Sequence, residues 1–107
     1  MILRIPLRFE GSKNSRNLYA LFDSGATYSC INEDIAEELE IFTSLHTPMK
    51  STIASEHVFM EISNIVRLDF YKDDIRLSDE FLVVPSLSEE VVYWCYNYAE
   101  MENKIGF

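Results

Sequence analysis

Apolar and polar residues alternate over the first nine positions of the chain. Basic residues and one proline separate the apolar ones, giving Leu3, Ile5, Leu7 and Phe9 against Arg4, Pro6 and Arg8. This period of two predicts a half-buried strand over residues 2–9. The polar stretch 10–15 contains one glycine and predicts a loop. Residues 16–22 predict a second strand that ends at Asp23, so the chain begins with a β-hairpin.

The pattern changes to a helical one after this hairpin. Residues 28–31 predict a short strand, and Asn32 then stands where a helix N-cap is expected, because its side chain can accept from the free N–H groups of the first turn. Two acidic residues follow and suit the positive end of a helix dipole. Apolar residues recur at helical spacing and predict a helix over residues 33–40; they are Ile35, Ala36, Leu39 and Ile41.

The remainder of the chain has mostly strand patterns. Residues 42–48 are interpreted as a connector with His46 exposed, and residues 50–62 predict a hairpin whose tip is Ala54, Ser55, Glu56 and His57. Further strands are predicted over 64–71, 75–78, 80–85 and 91–93, and the third of them holds a continuous apolar run that is covered on both faces. A short helix over 94–102 and a final strand over 104–107 complete the chain. Many short strands and few helices favour a mainly β fold, either a closed barrel or an orthogonal sandwich.

Composition narrows the class of protein. A length of 107 residues predicts one domain over 1–107, and a net charge of −9 argues against a nucleic-acid partner. No apolar run is long enough to cross a membrane, and the start lacks the plan of a secretion signal. Two distant cysteines, Cys30 and Cys95, favour buried thiols in a reducing cytoplasm. His46 and His57 have no Cys or His at ligand spacing, so neither a metal nor another cofactor is expected.

The candidate chemistry lies at the end of the second strand. Residues 18–22 are an apolar run that leads directly into Asp23, and burying a carboxylate is costly unless it is paired or hydrogen-bonded. Ser24 adds a hydroxyl, and Gly25 permits a backbone conformation or a close approach that a side chain would forbid. Asp-Ser-Gly is also ordinary turn chemistry, so the tripeptide alone leaves both interpretations open.

The stretch Asp23-Ser24-Gly25-Ala26, after its apolar strand, resembles the active-site loop of aspartic proteases, and the short chain points to the retropepsin-like (retroviral-type) branch. The resemblance implies a closed β-barrel of the acid-protease type, with one helix after the Asp loop and a short C-terminal helix. It also implies an aspartic endopeptidase that acts on peptide or protein substrates without a cofactor. Residues 54–57 occupy the position of the family's flap, which would bind substrate.

A chain with a single such loop implies a homodimer. This chemistry needs two carboxylates that share one proton, and a two-fold axis places the same residue of each subunit opposite itself. By resemblance, Asp23 is the catalytic acid and base, Ser24 locks the paired loops together, and Gly25 and Ala26 line the cleft. The chain ends would interleave into a sheet between the subunits.

Departures from the family's pattern support a second hypothesis. Val92-Tyr93-Trp94 stands where the family has two apolar residues and a glycine, Cys95 and Tyr96 replace the bracing residues that follow, and the flap tip has no glycine. These features favour a catalytically silent protein-interaction module of the same fold. Such a module could function as a monomer. A third hypothesis is an unrelated small β domain in which Asp-Ser-Gly is only a turn.

Overall fold

The computed structural model describes residues 2–23, 28–53 and 58–94, and this part of the chain is mainly β. It contains one helix, α1 (Glu33–Leu39), and seven strands. The strands are β1 (Ile2–Glu10), β2 (Ser15–Asp23), β3 (Cys30–Asn32), β4 (Thr43–Ile53), β5 (Val58–Lys72), β6 (Ile75–Val84) and β7 (Val91–Trp94). The predicted C-terminal helix and last strand fall on residues outside the described ones.

Six of the strands form a closed barrel. The order across the sheet is β1-β2-β7-β3-β6-β5, with β4 added to the outer edge of β5. The barrel closes where β1 pairs with β5, from Arg8 opposite Tyr71 to Glu10 opposite Asp69. Most neighbours are antiparallel, but β7 runs parallel to β2 and β3 runs parallel to β6. The predicted mainly β fold and closed barrel are therefore confirmed, and the orthogonal sandwich is not what forms.

Alternation along β1, β2 and β5 fills the barrel. The inward positions are apolar and at most 5% exposed: Ile5, Leu7, Phe9, Leu18, Ala20, Phe22, Val66, Leu68 and Phe70. Three phenylalanine rings pack closely together. Phe9 and Phe70 stack with 5.2 Å between their ring centroids, and Phe81 meets each of them edge-on at 5.8 Å. Fully burying one such ring contributes about 1.5–3 kcal/mol, so this aromatic cluster dominates the core.

Strand β6 is the apolar strand that the sequence predicted to be covered on both faces. Phe81, Leu82, Val83 and Val84 are all buried in succession. Phe81 and Val83 join the barrel core, whereas Leu82 and Val84 join a smaller cluster on the other side of the sheet. The ten-residue strand also continues without a break from its polar first half.

Helix α1 begins as predicted and ends one residue earlier than predicted. The Asn32 side chain accepts hydrogen bonds from the N–H groups of Asp34 and Ile35, at 2.9 and 3.2 Å. Ala36 and Leu39 are completely buried against the barrel core. Glu40 has extended backbone and closes the helix, because its N–H donates to the carbonyl of Ala36.

Three local predictions are corrected. Residues 43–48 belong to β4 and are not a connector, although His46 is exposed as predicted. The strand was missed because a register shift between Ser44 and Met49 interrupts the apolar and polar alternation that marks a strand. Strand β3 begins at Cys30, two residues later than predicted, and Trp94 ends β7 where a helix was predicted to begin.

Strands β4 and β5 continue past the barrel as a two-stranded arm. From Met49 opposite Ile62 to Ile53 opposite Val58, β5 pairs with β4 and with no other described strand. The register shifts between Ser44 and Met49, so four residues of β4 face one residue of β5. This bulge holds Pro48, which an edge strand tolerates because it needs no ladder donor there.

Candidate active site

Asp23 is the last residue of β2 and lies between two neighbouring strands. It is paired with Ile2 of β1 on one side and with Trp94 of β7 on the other. Its side chain is half-buried. Backbone pairing on both edges fixes the position of the residue, which is the rigid setting that a reacting group requires.

The residue before the acid anchors this end of β2 in the core. Phe22 is completely buried, and its ring centroid lies 5.2 Å from that of Tyr93. The two residues are register partners in the parallel pair of β2 and β7. Because successive side chains of a strand point to opposite faces, burial of Phe22 directs the Asp23 carboxylate away from the barrel core.

The loop before β7 is tied to the strands around the site. The backbone N–H of Asn32 donates to the carbonyl of Glu90, and its side-chain amide donates to the carbonyl of Leu87 at 2.9 Å. The Glu90 carboxylate accepts from the backbone N–H of Tyr19, also at 2.9 Å. Arg4 of β1 forms an ion pair with Glu89. These bonds fix where β7 starts, and therefore which of its residues stands beside Asp23.

The sequence did not reveal these ties. Glu89 and Glu90 stand in a polar loop and appear ordinary in the sequence. Asn32 was recognised as an N-cap, but its second bond, to Leu87, joins residues 55 positions apart. No short-range signal could have predicted that bond.

An open groove lies where the chain leaves the Asp loop. It has a volume of about 270 Å³. Its lining comes from the two residues before β3, the base of the arm and the second half of β6: Tyr28, Ser29, Leu45, Ile65, Glu80, Phe81 and Leu82. The groove therefore joins the segment that follows the candidate acid to the strands that carry the arm.

A larger groove, of about 580 Å³, lies on the outer face of β1 and β2. Tyr19, Arg8 and Tyr71 contribute to its lining, and the Arg8 guanidinium carbon lies 4.3 Å from the centre of the Tyr71 ring. Asp23, which is the one predicted site residue in the described part of the chain, does not line it. We therefore place the candidate site at Asp23 and not in this larger groove.

The other predicted site residues lie outside the described part of the chain. Ser24, Gly25 and Ala26 follow Asp23 directly, and Ala54, Ser55, Glu56 and His57 join the two strands of the arm. The hairpin itself is present, because the flanking residues Ile53 and Val58 are paired. The predictions for these seven residues stay predictions.

Cys30 is a buried thiol, as the sequence predicted. It is 7% exposed, and desolvation raises the pKa of its thiol to about 11. A thiol with so high a pKa carries little thiolate and is a poor nucleophile. In the described residues, no three His, Cys, Asp or Glu side chains form a group that could hold a metal ion. The one described helix, α1, is not long and apolar enough to cross a membrane.

Comparison of the chain with protein-family models, with curated proteins and with solved structures finds no match in any of the three.

Proposed function

We propose that this chain is an aspartic endopeptidase of the retroviral type, active as a homodimer that hydrolyses peptide bonds. The observation that carries the proposal is the placement of Asp23, half-buried at the end of a strand that is paired on both edges. The resemblance of its loop to the family's active-site loop supplies the chemistry. The barrel and the projecting β4–β5 arm agree with the order of elements that the resemblance implies.

The proposed reaction uses one Asp23 from each subunit, with one proton shared between them. The ionised carboxylate takes a proton from water while the water oxygen bonds to the peptide carbonyl carbon. The protonated carboxylic acid gives its proton to the carbonyl oxygen. Collapse of this intermediate breaks the C–N bond as the nitrogen takes a proton, and an acid and an amine leave. Activity should fall at high pH, where both carboxylates ionise.

The first experiment measures dimerisation and cleavage together. Sedimentation equilibrium over a wide range of protein concentration, at mildly acidic and neutral pH, should give a concentration-dependent dimer. A peptide library analysed by mass spectrometry should then show cleavage. A strict monomer at every concentration would contradict the proposal, because a lone carboxylate cannot form the pair.

Replacement of Asp23 by Asn is the decisive variant. Asp23→Asn keeps the size of the side chain and removes the ionisable group, so cleavage should fall by about a thousandfold or more. Thermal unfolding of the same variant provides the control for correct folding. Cleavage that persists in folded Asp23→Asn protein would exclude Asp23 as the catalytic acid.

A second candidate function is a catalytically silent interaction module. The observation that favours it is the register of β7, which puts Trp94 directly beside Asp23 where the family has a glycine. In the family that glycine packs closely behind the loop, and adding volume to a packed core typically costs about 1–3 kcal/mol. Under this hypothesis, Asp23→Asn leaves partner binding intact and no variant shows cleavage. For either function we propose a cytoplasmic location, in keeping with the buried thiol of Cys30.

A further inference from the structure

The groove between Tyr28 and the base of the arm has an apolar floor. Leu45 and Ile65 are partly buried and pack against the smaller hydrophobic cluster, to which the 8%-exposed Leu82 belongs. Pockets for drug-sized ligands measure about 300–1,000 Å³, so a volume of about 270 Å³ is suited to a single side chain. The aliphatic floor would cover the stem of a long side chain.

The rim of this groove carries a negative charge. Among the described residues that line it, Glu80 alone is charged. Its partner is Arg67, at 3.4 Å, and the two side chains are 54% and 62% exposed. Ion pairs this exposed are weak, about 0–1 kcal/mol, so the Glu80 carboxylate remains available to a cation from a ligand.

The groove lies within reach of the candidate catalytic acid. Tyr28 comes five residues after Asp23, so the Cα atoms of the two residues are at most about 18 Å apart. An extended peptide spans that distance with about five residues. A peptide whose scissile bond lies at Asp23 can therefore place another of its side chains in the groove.

We infer that the groove binds one Lys or Arg side chain of the substrate, and that Glu80 determines this preference. The inference rests on the proposed peptidase function. The aliphatic stem of the side chain packs on Leu45 and Ile65 while its cationic end stays at the wet rim beside Glu80, as long basic side chains commonly do. An acidic side chain in the same place would be repelled.

The test compares four proteins on one positional-scanning peptide library, which presents Lys, Met or Glu at each position. The proteins are the wild type, Glu80→Gln, Glu80→Lys and the matched control Asp79→Asn. Asp79 is the neighbouring carboxylate and does not line the groove. The Asn replacement keeps an oxygen that can accept the hydrogen bond Asp79 now takes from the Glu80 backbone N–H.

The wild type should cleave Lys-containing peptides faster than Glu-containing ones at one position of the peptide. Glu80→Gln should lower that kcat/KM ratio about three- to tenfold, Glu80→Lys should invert it, and Asp79→Asn should leave it unchanged. The inference would be overturned if the wild type showed no preference for Lys over Glu, or if Glu80→Gln showed the same preference as the wild type. Either result would leave the proposed peptidase function standing.

A chain that cleaves nothing is tested by binding. Fluorescence anisotropy with labelled Lys and Glu versions of one peptide then replaces the kinetic ratio. Preferential binding of the Lys peptide that disappears in Glu80→Gln would support the groove inference and reject the peptidase. Binding without that preference, or no binding at all, would overturn the groove inference together with the peptidase.

Discussion

The two ends of the β1–β2 hairpin are held by different kinds of interaction. At its tip, Gly11 packs against the end of helix α1, and the backbone N–H of Lys13 donates to the carbonyl of Leu39 at 3.0 Å. At the other end, Asp23 is positioned by backbone pairing with β1 and β7. The comparison shows that a segment with a polar, loop-like composition can still make specific tertiary contacts.

The tip supplies the helix with the groups that its own sequence lacks. The last turn of α1 contains no basic residue, yet the Lys13 ammonium donates to the carbonyl of Glu37, and Arg16 pairs with Glu38 at 2.9 Å. Cations near a helix C-terminus are favourable because they complement the helix dipole. The hairpin therefore stabilises the C-terminus of a helix that is distant in sequence.

For the two ends of the hairpin, the largest predicted effect concerns Cys30, which begins β3 near the Asp23 end. Its thiol pKa is raised from 9.0 to about 11, so at pH 8 the thiolate fraction should be about a hundredfold below that of an ordinary cysteine. The rate of labelling by iodoacetamide reports this thiolate fraction. Mass spectrometry distinguishes labelling of Cys30 from labelling of Cys95. Labelling of Cys30 as fast as that of a short unfolded peptide would show that this end opens freely.

Gly11→Ala should be the most damaging change at the hairpin tip. An added Cβ would lie 2.1 Å from the backbone carbonyl oxygen of Leu39. The backbone of the hairpin tip and the backbone at the end of α1 would therefore have to move apart. We expect a loss of about 1–3 kcal/mol in the free energy of unfolding, measured by urea denaturation. Ser15→Ala, an exposed position at the start of β2, is the control. Equal stability of the two variants would show that the tip is not docked on α1.

Asn32→Ala tests the tie between the helix and the strand beside Asp23. The variant loses the helix N-cap and the bond to the Leu87 carbonyl, so we expect a loss of about 1–2 kcal/mol in the same denaturation experiment. Asn32→Asp keeps the capping oxygen but cannot donate to Leu87, and it should fall between Ala and the wild type. If Asn32→Asp is as destabilising as Asn32→Ala, the lost stability comes from the bond to the Leu87 carbonyl and not from the helix N-cap.

The smallest effect is a pH dependence at the tip. The hydrogen bond from the Ser12 hydroxyl, chiefly, lowers the pKa of Glu40 below its usual 4.5. Because a lowered carboxylate pKa stabilises the folded state only while the group is ionised, the contribution is complete above pH 4.5 and disappears as the pH falls through the lower, folded-state value.

Glu40→Gln should therefore be less stable than the wild type at pH 6.5 and more nearly equal to it at pH 3. The side chain is only partly buried and water screens its interactions, so the difference should be about 0.5 kcal/mol or less. Thermal unfolding at both pH values measures it, with Glu33→Gln on the same helix as the control. A difference that grows toward acid would contradict the assigned sign.

Local patterns predicted most of the elements because burial dictates the period of a strand. Leu7, Leu18 and Leu68 alternate with polar neighbours because one face of each strand meets the core. The same logic failed for residues 43–48, because the register shift between Ser44 and Met49 interrupts the alternation along β4. Asp23 was singled out by an apolar run that ends in a carboxylate, but its neighbours Ile2 and Trp94 could not be read from that run.

Short-range patterns were enough to predict most strands of the barrel, the start of α1 and the candidate acid, because these depend on neighbours within a few residues. Long-range packing places β7 beside Asp23, Gly11 against Leu39, and Glu80 on the rim of a groove beside Tyr28. Each of these contacts joins residues far apart in the chain. They form only when the whole core closes and brings the distant segments together.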